Sequence, residues 1–270
     1  MIRLAVRVRR ADADIALAEL LELAPSGVEE VDLGDAVEFA IYGAPGELPA
    51  LPDLQAAAAG GLVDVSTTEV GDDWHERWRA FHRPVRIGDR LHVRPPWADP
   101  ASPPELDVVI EPGQAFGTGA HETTRLCLEL ILELEPAGGL LDLGCGSGVL
   151  AIAAAKLGWS PVVALDNDPE AVRATEDNAR ANGAHVRAAR HDLLQDGPVA
   201  AQPTVVANLL KPLLLRLAFA APGPQALIVS GLLAPEADDV SAVLAAELGL
   251  CESDRRRAGE WAAVLLRRSM

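Results

Sequence analysis

A glycine-rich turn between a predicted strand and a predicted helix constrains the fold of this 270-residue chain more than any other feature. The apolar residues 139–143 predict the strand, and residues 148–157 predict the helix. Gly144, Gly146 and Gly148 occupy alternate positions at the junction, so the backbone can approach a ligand closely and the N-terminus of the helix can face it. A turn of this kind is typical of an α/β protein that binds its ligand at the carboxyl end of a strand.

The spacing of the glycines favours a nucleoside ligand over a dinucleotide. A dinucleotide-binding turn has the pattern Gly-x-Gly-x-x-Gly, but its last position is Val149 here. Asp166 ends the next predicted strand, 22 residues after Gly144, where a carboxylate can accept hydrogen bonds from both hydroxyls of a ribose. Asp142 either contacts the amino acid part of such a cofactor or binds backbone amides of the turn. We therefore expect a bound nucleoside cofactor.

The region from residue 109 to residue 270 alternates between strand and helix. Predicted helices span 123–135, 148–157, 169–182 and 235–248, and predicted strands span 139–143, 161–165, 186–189, 204–207, 226–230 and 261–266. Such alternation predicts a doubly wound, mostly parallel sheet covered by helices on both faces.

Two further regions precede this domain. Residues 1–70 have the order strand, helix, strand, strand, helix, strand, which predicts a small ferredoxin-like α+β domain. Within it, residues 2–9 alternate between apolar and polar, and residues 15–24 and 47–59 are the predicted helices. Residues 71–108 are predicted to be a connector, with one short helix and then a proline-rich segment. Trp74, Trp78 and Phe81 share a face of that helix, and we interpret them as packing residues.

Charge and composition limit the classes of partner. The chain is 49% apolar, 23% charged and carries a formal net charge of −17, as in a globular protein with an acidic surface. An acidic surface repels phosphates, and no basic run is long enough to bind nucleic acid, so no direct nucleic-acid binding is expected. A basic protein partner fits this charge better, although acidic surfaces also serve simply to keep proteins soluble.

Membrane, disulfide and metal sites are not expected. The longest apolar run, residues 149–155, is too short to cross a bilayer, and arginines interrupt the N-terminal apolar residues, which predicts a cytoplasmic protein without a signal peptide. The three cysteines are widely spaced, and the six histidines show no short ligand spacing, so we expect neither a disulfide framework nor a metal site.

Two segments flanking the glycine turn carry further candidate site residues. Residues 111–119 are glycine-rich and include a lone aromatic, Phe116, which is typical of a flap that closes over a ligand. Thr124 lies at the start of the next helix, which it can cap. Asn208 follows the apolar residues 205–207 and places an amide at the carboxyl end of the fourth strand, beside the same cleft.

These motifs resemble those of one family, the methyltransferases of the large-subunit ribosomal protein L11. The matching stretches are residues 110–119, 121–124, 141–154, 166–169, 178–179, 182–183 and 207–209. The first of them is specific to that family, whereas the glycine turn is shared by all class I methyltransferases. The N-terminal region and the helix near residues 74–78 also look like the family's.

The resemblance implies a fold, a cofactor and a substrate. The fold would be that of a class I methyltransferase with a small N-terminal ferredoxin-like domain, which in the family recognises the ribosomal protein. The cofactor would be S-adenosylmethionine, and the substrate would be amino groups of L11, either lysine side chains or the N-terminal amine. The expected cofactor contacts are Phe116, Thr124, Gly144, Gly146, Asp166 and Asn208. Asn208 is also the expected catalytic residue, since its carbonyl would orient the attacking amine.

One residue departs from the family pattern, and two alternatives stay open. Lys211 stands where family members more usually have a small or uncharged residue, and a cation there would repel a substrate ammonium. One alternative is a methyltransferase of the same fold that acts on another protein or a small amine. The other is a non-catalytic module that only binds S-adenosylmethionine.

Overall fold

The computed structural model describes residues 2–13, 16, 20, 29–43, 62–69, 82–100, 102, 106–112 and 119–268. The chain divides into two compact units, residues 1–81 and 82–270. None of the described helices is long and apolar enough to cross a membrane.

The first unit contains a four-stranded antiparallel sheet. Its strands are β1 (Ile2–Arg9), β2 (Glu29–Asp32), β3 (Ala36–Gly43) and β4 (Leu62–Glu69), with a 3-10 turn at Arg10–Asp12. The strand order is β2-β3-β1-β4, which is the order of a ferredoxin-like sheet. Alternate residues of the central strands, including Val6 and Phe39, form a buried core. The two predicted helices, except for the buried residues Ala16 and Leu20, and the predicted aromatic helix lie outside the described residues.

An ion-pair cluster occupies the opposite face of this sheet. Glu38 is buried and accepts hydrogen bonds from Arg3 at 2.6 Å and Arg7 at 2.5 Å. These two hydrogen bonds lower the pKa of the Glu38 carboxyl, so it stays ionised although it is largely out of water.

A small three-stranded sheet opens the second unit. Its strands are β5 (Val85–Ile87), β6 (Leu91–Arg94) and β7 (Leu106–Val109), and their apolar side chains join the core of the large sheet. The range predicted as a connector, 71–108, therefore contains folded structure from Val85 onward. Pro84 and Pro95 flank the strands, at positions where the missing N–H interrupts no ladder hydrogen bond.

The remainder of the second unit alternates between strands and helices, as predicted. In chain order the elements are α1 (Glu122–Leu132), β8 (Leu140–Leu143), α2 (Val149–Leu157), β9 (Val162–Asp166), α3 (Pro169–Ala181), β10 (Val186–Arg190), β11 (Val199–Ala200), β12 (Thr204–Asn208), α4 (Lys211–Leu214), β13 (Phe219–Ala220), β14 (Ala226–Leu233), a 3-10 turn (Ala234–Glu236), α5 (Ala237–Leu248), β15 (Cys251–Ala258) and β16 (Trp261–Arg267). β11 and β13 pair only with each other.

The other seven strands of this list form one sheet in the order β10-β9-β8-β12-β14-β16-β15. Strands β10, β9, β8, β12 and β14 are parallel, and β16 is antiparallel to both of its neighbours. The adjacent residues Leu140 and Leu141 belong to separate buried clusters, so the sheet is covered on both faces. The strand order reverses at β8, which is where an open α/β sheet forms its ligand crevice. The predicted doubly wound, mostly parallel sheet is confirmed.

Candidate active site at the carboxyl end of the parallel sheet

The glycine turn after β8 has a backbone that side chains would strain. Gly144, Gly146 and Gly148 have φ values of +73°, +53° and +82°. A Cβ on Gly144 would lie 2.4 Å from Leu209 Cδ2, and one on Gly148 would lie 2.9 Å from the Thr175 side chain. Glycine is therefore required at these two positions both by conformation and by close packing.

Asp166, at the end of β9, is hydrogen-bonded to the backbone of this turn. Its Oδ2 accepts the Gly146 N–H at 3.0 Å, and its Oδ1 accepts the Asp168 N–H at 3.0 Å. A carboxylate has about four lone-pair sites, so acceptor capacity remains on each oxygen for a ligand hydroxyl.

A cavity of about 250 Å³ lies between these strand ends. Four of the predicted site residues line it, namely Gly144, Gly146, Asp166 and Asn208. Thr124 is not part of this wall but contacts Asn208, and Phe116 lies outside the described residues. The structure therefore brings residues from three separate strand ends to one cavity.

Most of the lining residues were not predicted as site residues, including those that follow β10. His191, Asp192 and Leu193 follow β10 directly and form another part of the cavity wall. The available signal was positional, because the residues after every parallel strand next to the reversal point face the same crevice. The residues after β10 form no distinctive motif, so only their position after a parallel strand could have indicated them.

Asp142 is a buried carboxylate at the base of the turn. Its Oδ2 accepts the Ala151 N–H at 3.1 Å, whereas its Oδ1 has no hydrogen-bond partner among the described residues. Burial raises the pKa of Asp142 to about 7, against the lowering effect of the Ala151 amide and with a smaller contribution from the charge of Asp166. Of the two roles considered for Asp142, the structure shows the backbone contact, and Asp142 is not among the residues that line the cavity.

The side-chain amide of Asn208 is oriented by two threonines at the start of α1. Its Nδ2 lies 3.3 Å from Thr123 Oγ1 and 3.4 Å from Thr124 Oγ1. Both threonines are buried, so these contacts are shielded from water. The two amide hydrogens are thus directed toward α1.

His121 determines the direction of these hydrogen bonds. Its Nδ1 accepts the Thr123 N–H at 3.3 Å, and in the tautomer that allows this, with the proton on Nε2, the Thr123 hydroxyl 2.8 Å away donates to Nδ1. The Thr123 oxygen is then an acceptor for Asn208, which leaves the Asn208 carbonyl as the free end of the amide. Trp261 packs edge-on against the His121 ring at 5.1 Å. No described residue donates to Asn208 Oδ1.

Lys211 is close to two carboxylates. Its Nζ lies 3.7 Å from Asp239 Oδ2 and 4.0 Å from Glu236 Oε1. The positive charge beside the cavity is therefore locally compensated, which weakens the repulsion of a substrate cation expected from the sequence.

Comparisons with known proteins agree with this geometry. A family model described as "Ribosomal protein L11 methyltransferase (PrmA)" matches residues 51–269. Ribosomal protein L11 methyltransferases of Bordetella bronchiseptica and Burkholderia vietnamiensis are 39% and 37% identical to this chain; the alignments cover 91% and 90% of this chain and 93% and 90% of the relatives. The crystal structure of a ribosomal protein L11 methylase from Lactobacillus delbrueckii subsp. bulgaricus aligns with a TM-score of 0.60 at 30% identity, covering 70% of this chain and all of the other. The chain belongs to the ribosomal protein L11 methyltransferase family.

Proposed function

We propose that this protein is an S-adenosylmethionine-dependent N-methyltransferase that methylates amino groups of ribosomal protein L11. The observation that carries the proposal is the convergence of the glycine turn, Asp166 and the free carbonyl of Asn208 on one cavity. Membership of the family supplies the reaction class and the substrate.

The described residues fit S-adenosylmethionine. Asp166 retains acceptor sites for ribose hydroxyls, and the glycines allow close approach of the backbone. When bound, the cofactor supplies an electrophilic methyl group on a sulfonium.

Asn208 orients the amine in this proposal and does not deprotonate it. An amide is not a base, and only a neutral amine has the lone pair that attacks the methyl group. The amine therefore has to lose a proton to solvent before transfer, and Asn208 Oδ1 accepts one of its remaining N–H groups. Deprotonating a lysine near neutral pH costs about 4 kcal/mol, and an α-amine costs less than about 1 kcal/mol. A desolvated cleft lowers this cost by depressing the amine pKa, and alignment of the amine can contribute ~7–11 kcal/mol.

The acidic N-terminal unit is proposed to recognise the ribosomal protein. Residues 1–70 contain 13 Asp and Glu residues but only 4 Arg and no Lys, so they carry −9 of the chain's net charge of −17. This charge favours a basic protein partner, and the ferredoxin-like strand order agrees with the family resemblance. We propose no direct contact with nucleic acid or membrane. A ribosomal protein substrate also implies a cytoplasmic location.

The testing experiment is a transfer assay with labelled S-adenosylmethionine, purified L11 and, separately, a total cell extract, resolved by mass. Label on L11 alone is the expected result. Label on another protein or on a small amine would replace the proposed substrate, and cofactor binding without any transfer would identify a non-catalytic module.

A second assay tests the role of Asn208. At saturating cofactor, Asn208→Ala is expected to lower kcat about 100-fold because the amine loses its alignment. Unchanged turnover in this variant would remove Asn208 from the mechanism while leaving the activity itself in place.

A further inference from the structure

Helix α3 presents an inward-facing row of polar side chains. Thr175, Asn178 and Asn182 are spaced i, i+3 and i+7, so they lie on one face of the helix. Thr175 and Asn178 are buried at 0% and 3% exposure. Burying an amide is unfavourable unless its hydrogen bonds are satisfied, so the partners of this row indicate what it does.

The partners are backbone groups of two separate segments. Thr175 Oγ1 donates to the Gly146 carbonyl at 3.0 Å, and Asn178 Nδ2 donates to the Ser147 carbonyl at 2.9 Å. Asn178 Oδ1 accepts the Glu111 N–H at 2.9 Å. Asn178 is thus bonded both to the glycine turn and to residue 111.

Residue 111 opens the stretch 111–119, whose sequence is typical of a flap that closes over a ligand. A turn with three left-handed glycines has many accessible backbone conformations when it is not held. Side-chain hydrogen bonds that hold the turn in a single conformation reduce the conformational entropy that is lost when a ligand binds. Asn178 is the described residue that holds both segments at once.

We propose that Asn178 is a positioning residue for the cofactor site, which fixes the glycine turn against the chain at Glu111 without touching the cofactor. The inference rests on the proposed function, because it takes the ligand of this cavity to be S-adenosylmethionine. It adds a residue that acts on cofactor affinity through the backbone of the turn.

Asn182 provides a matched control on the same helix face. Its Oδ1 accepts the Val109 N–H at 2.9 Å, and its Nδ2 donates to the Val109 carbonyl at 2.6 Å. Asn182 therefore clamps the chain two residues before Glu111, with no hydrogen bond to the glycine turn among the described residues. Asn182 Oδ1 also accepts from Lys156 Nζ at 3.2 Å, and Asn182 Nδ2 also donates to the Asn178 carbonyl at 2.8 Å. Its replacement therefore removes more hydrogen bonds from the same region than that of Asn178.

The experiment measures the Kd for S-adenosylmethionine by calorimetry, together with the thermal unfolding midpoint, in the full-length wild type, Asn178→Ala and Asn182→Ala. Losing the bonds of one buried amide corresponds to an expected increase in Kd of about tenfold for Asn178→Ala. Asn182→Ala is expected to lower the unfolding midpoint but to change Kd by less than about twofold.

A third variant keeps the test decisive if Asn178→Ala does not fold. Asn178→Leu has nearly the same shape and leaves no cavity, but it can neither donate to Ser147 nor accept the Glu111 N–H, so it should weaken binding as Asn178→Ala does. Equal losses of affinity in the Asn178 and Asn182 variants, or unchanged affinity in both Asn178 variants, would overturn the proposal. Absence of binding in the wild type would instead overturn the proposed function, and the inference with it.

Discussion

The Nδ2 atom of Asn208 lies 3.3 Å from the hydroxyl of Thr123, a residue 85 positions earlier in the chain. The same hydroxyl is 2.8 Å from His121 Nδ1, so a short row of hydrogen bonds runs from the imidazole to the amide. The orientation of the Asn208 carbonyl is therefore set by residues at the start of α1.

Replacing Thr123 with valine should lower turnover without a comparable loss of cofactor binding. Valine has nearly the same shape, but it cannot accept the Asn208 N–H or donate to His121. We expect kcat to fall about tenfold, equivalent to ~1.4 kcal/mol of barrier, with Kd for S-adenosylmethionine little changed. Thr123→Ser keeps the hydroxyl and should restore most of the rate. Wild-type kcat in Thr123→Val would contradict this role.

Asp166→Asn should weaken cofactor binding. In the wild type, each carboxylate oxygen of Asp166 accepts a backbone N–H. The change removes the negative charge and replaces one of these oxygens with an NH2 group, which is a donor. Lost charged hydrogen bonds of ~1.5–3 kcal/mol correspond to an increase in Kd of about 10- to 100-fold. Asp168→Ala is the control, because it removes only the cap on Glu170 N and should cost about 1 kcal/mol of stability with unchanged Kd. Equal Kd values for Asp166→Asn and wild type would count against a ligand at Asp166.

Asp142 should make the ligand-free protein less stable as pH rises. Burial raises its pKa to about 7 in the folded state, whereas an aspartate in the unfolded chain titrates near ~4. Between about pH 4 and 7 the folded state binds the extra proton, so the free energy of unfolding falls with increasing pH and the loss is complete above about pH 7. Urea unfolding at about pH 5.5 and 8 measures this change, and the free energy of unfolding should decrease less between the two pH values in Asp142→Asn than in the wild type. An identical decrease in both proteins would show that Asp142 does not titrate in this range.

Lys211→Ala should improve the apparent affinity for a basic protein substrate. The variant leaves Glu236 and Asp239 without their cation beside the cavity. At low ionic strength we expect KM for the protein substrate to fall about two- to fivefold, and the effect should disappear at high salt. Lys211→Arg keeps the charge and should retain the wild-type KM. A salt-independent change would point to a packing effect instead.

Most of the large sheet could be predicted because its strands are buried and its helices have clear ends. The predicted strand 161–165 corresponds to Val162–Asp166, and the predicted helix 169–182 corresponds to Pro169–Ala181, with Asp168 accepting the Glu170 N–H at its start. β15 was missed because its residues, Cys-Glu-Ser-Asp-Arg-Arg-Arg-Ala, do not alternate in polarity. It lies at the edge of the sheet and pairs only with β16, so its side chains stay largely at the surface.

The side-chain geometry of the site could not be predicted in the same way. The sequence indicated that Asn208 ends a strand beside the glycine turn, but the direction of its amide depends on Thr123 and His121, which local patterns do not relate to it. Similarly, residues 178–179 resemble a motif of the family, but the motif does not indicate that the Asn178 side chain is hydrogen-bonded to both Ser147 and Glu111. Contacts between distant segments carry this information, and strand or helix periodicity does not.

The position of β16 has a consequence for how the enzyme is made. β16 follows every other strand of the large sheet in sequence, yet it lies between β14 and β15. During synthesis, therefore, β14 keeps an unpaired edge until residues 261–267 have left the ribosome. Trp261, the first residue of this strand, also packs on His121. The contact of Trp261 with His121, which belongs to the hydrogen-bonded row that orients Asn208, thus forms only after β16 has joined the sheet. We therefore expect a nascent chain that ends before residue 261 to contain the glycine turn but to lack the complete site.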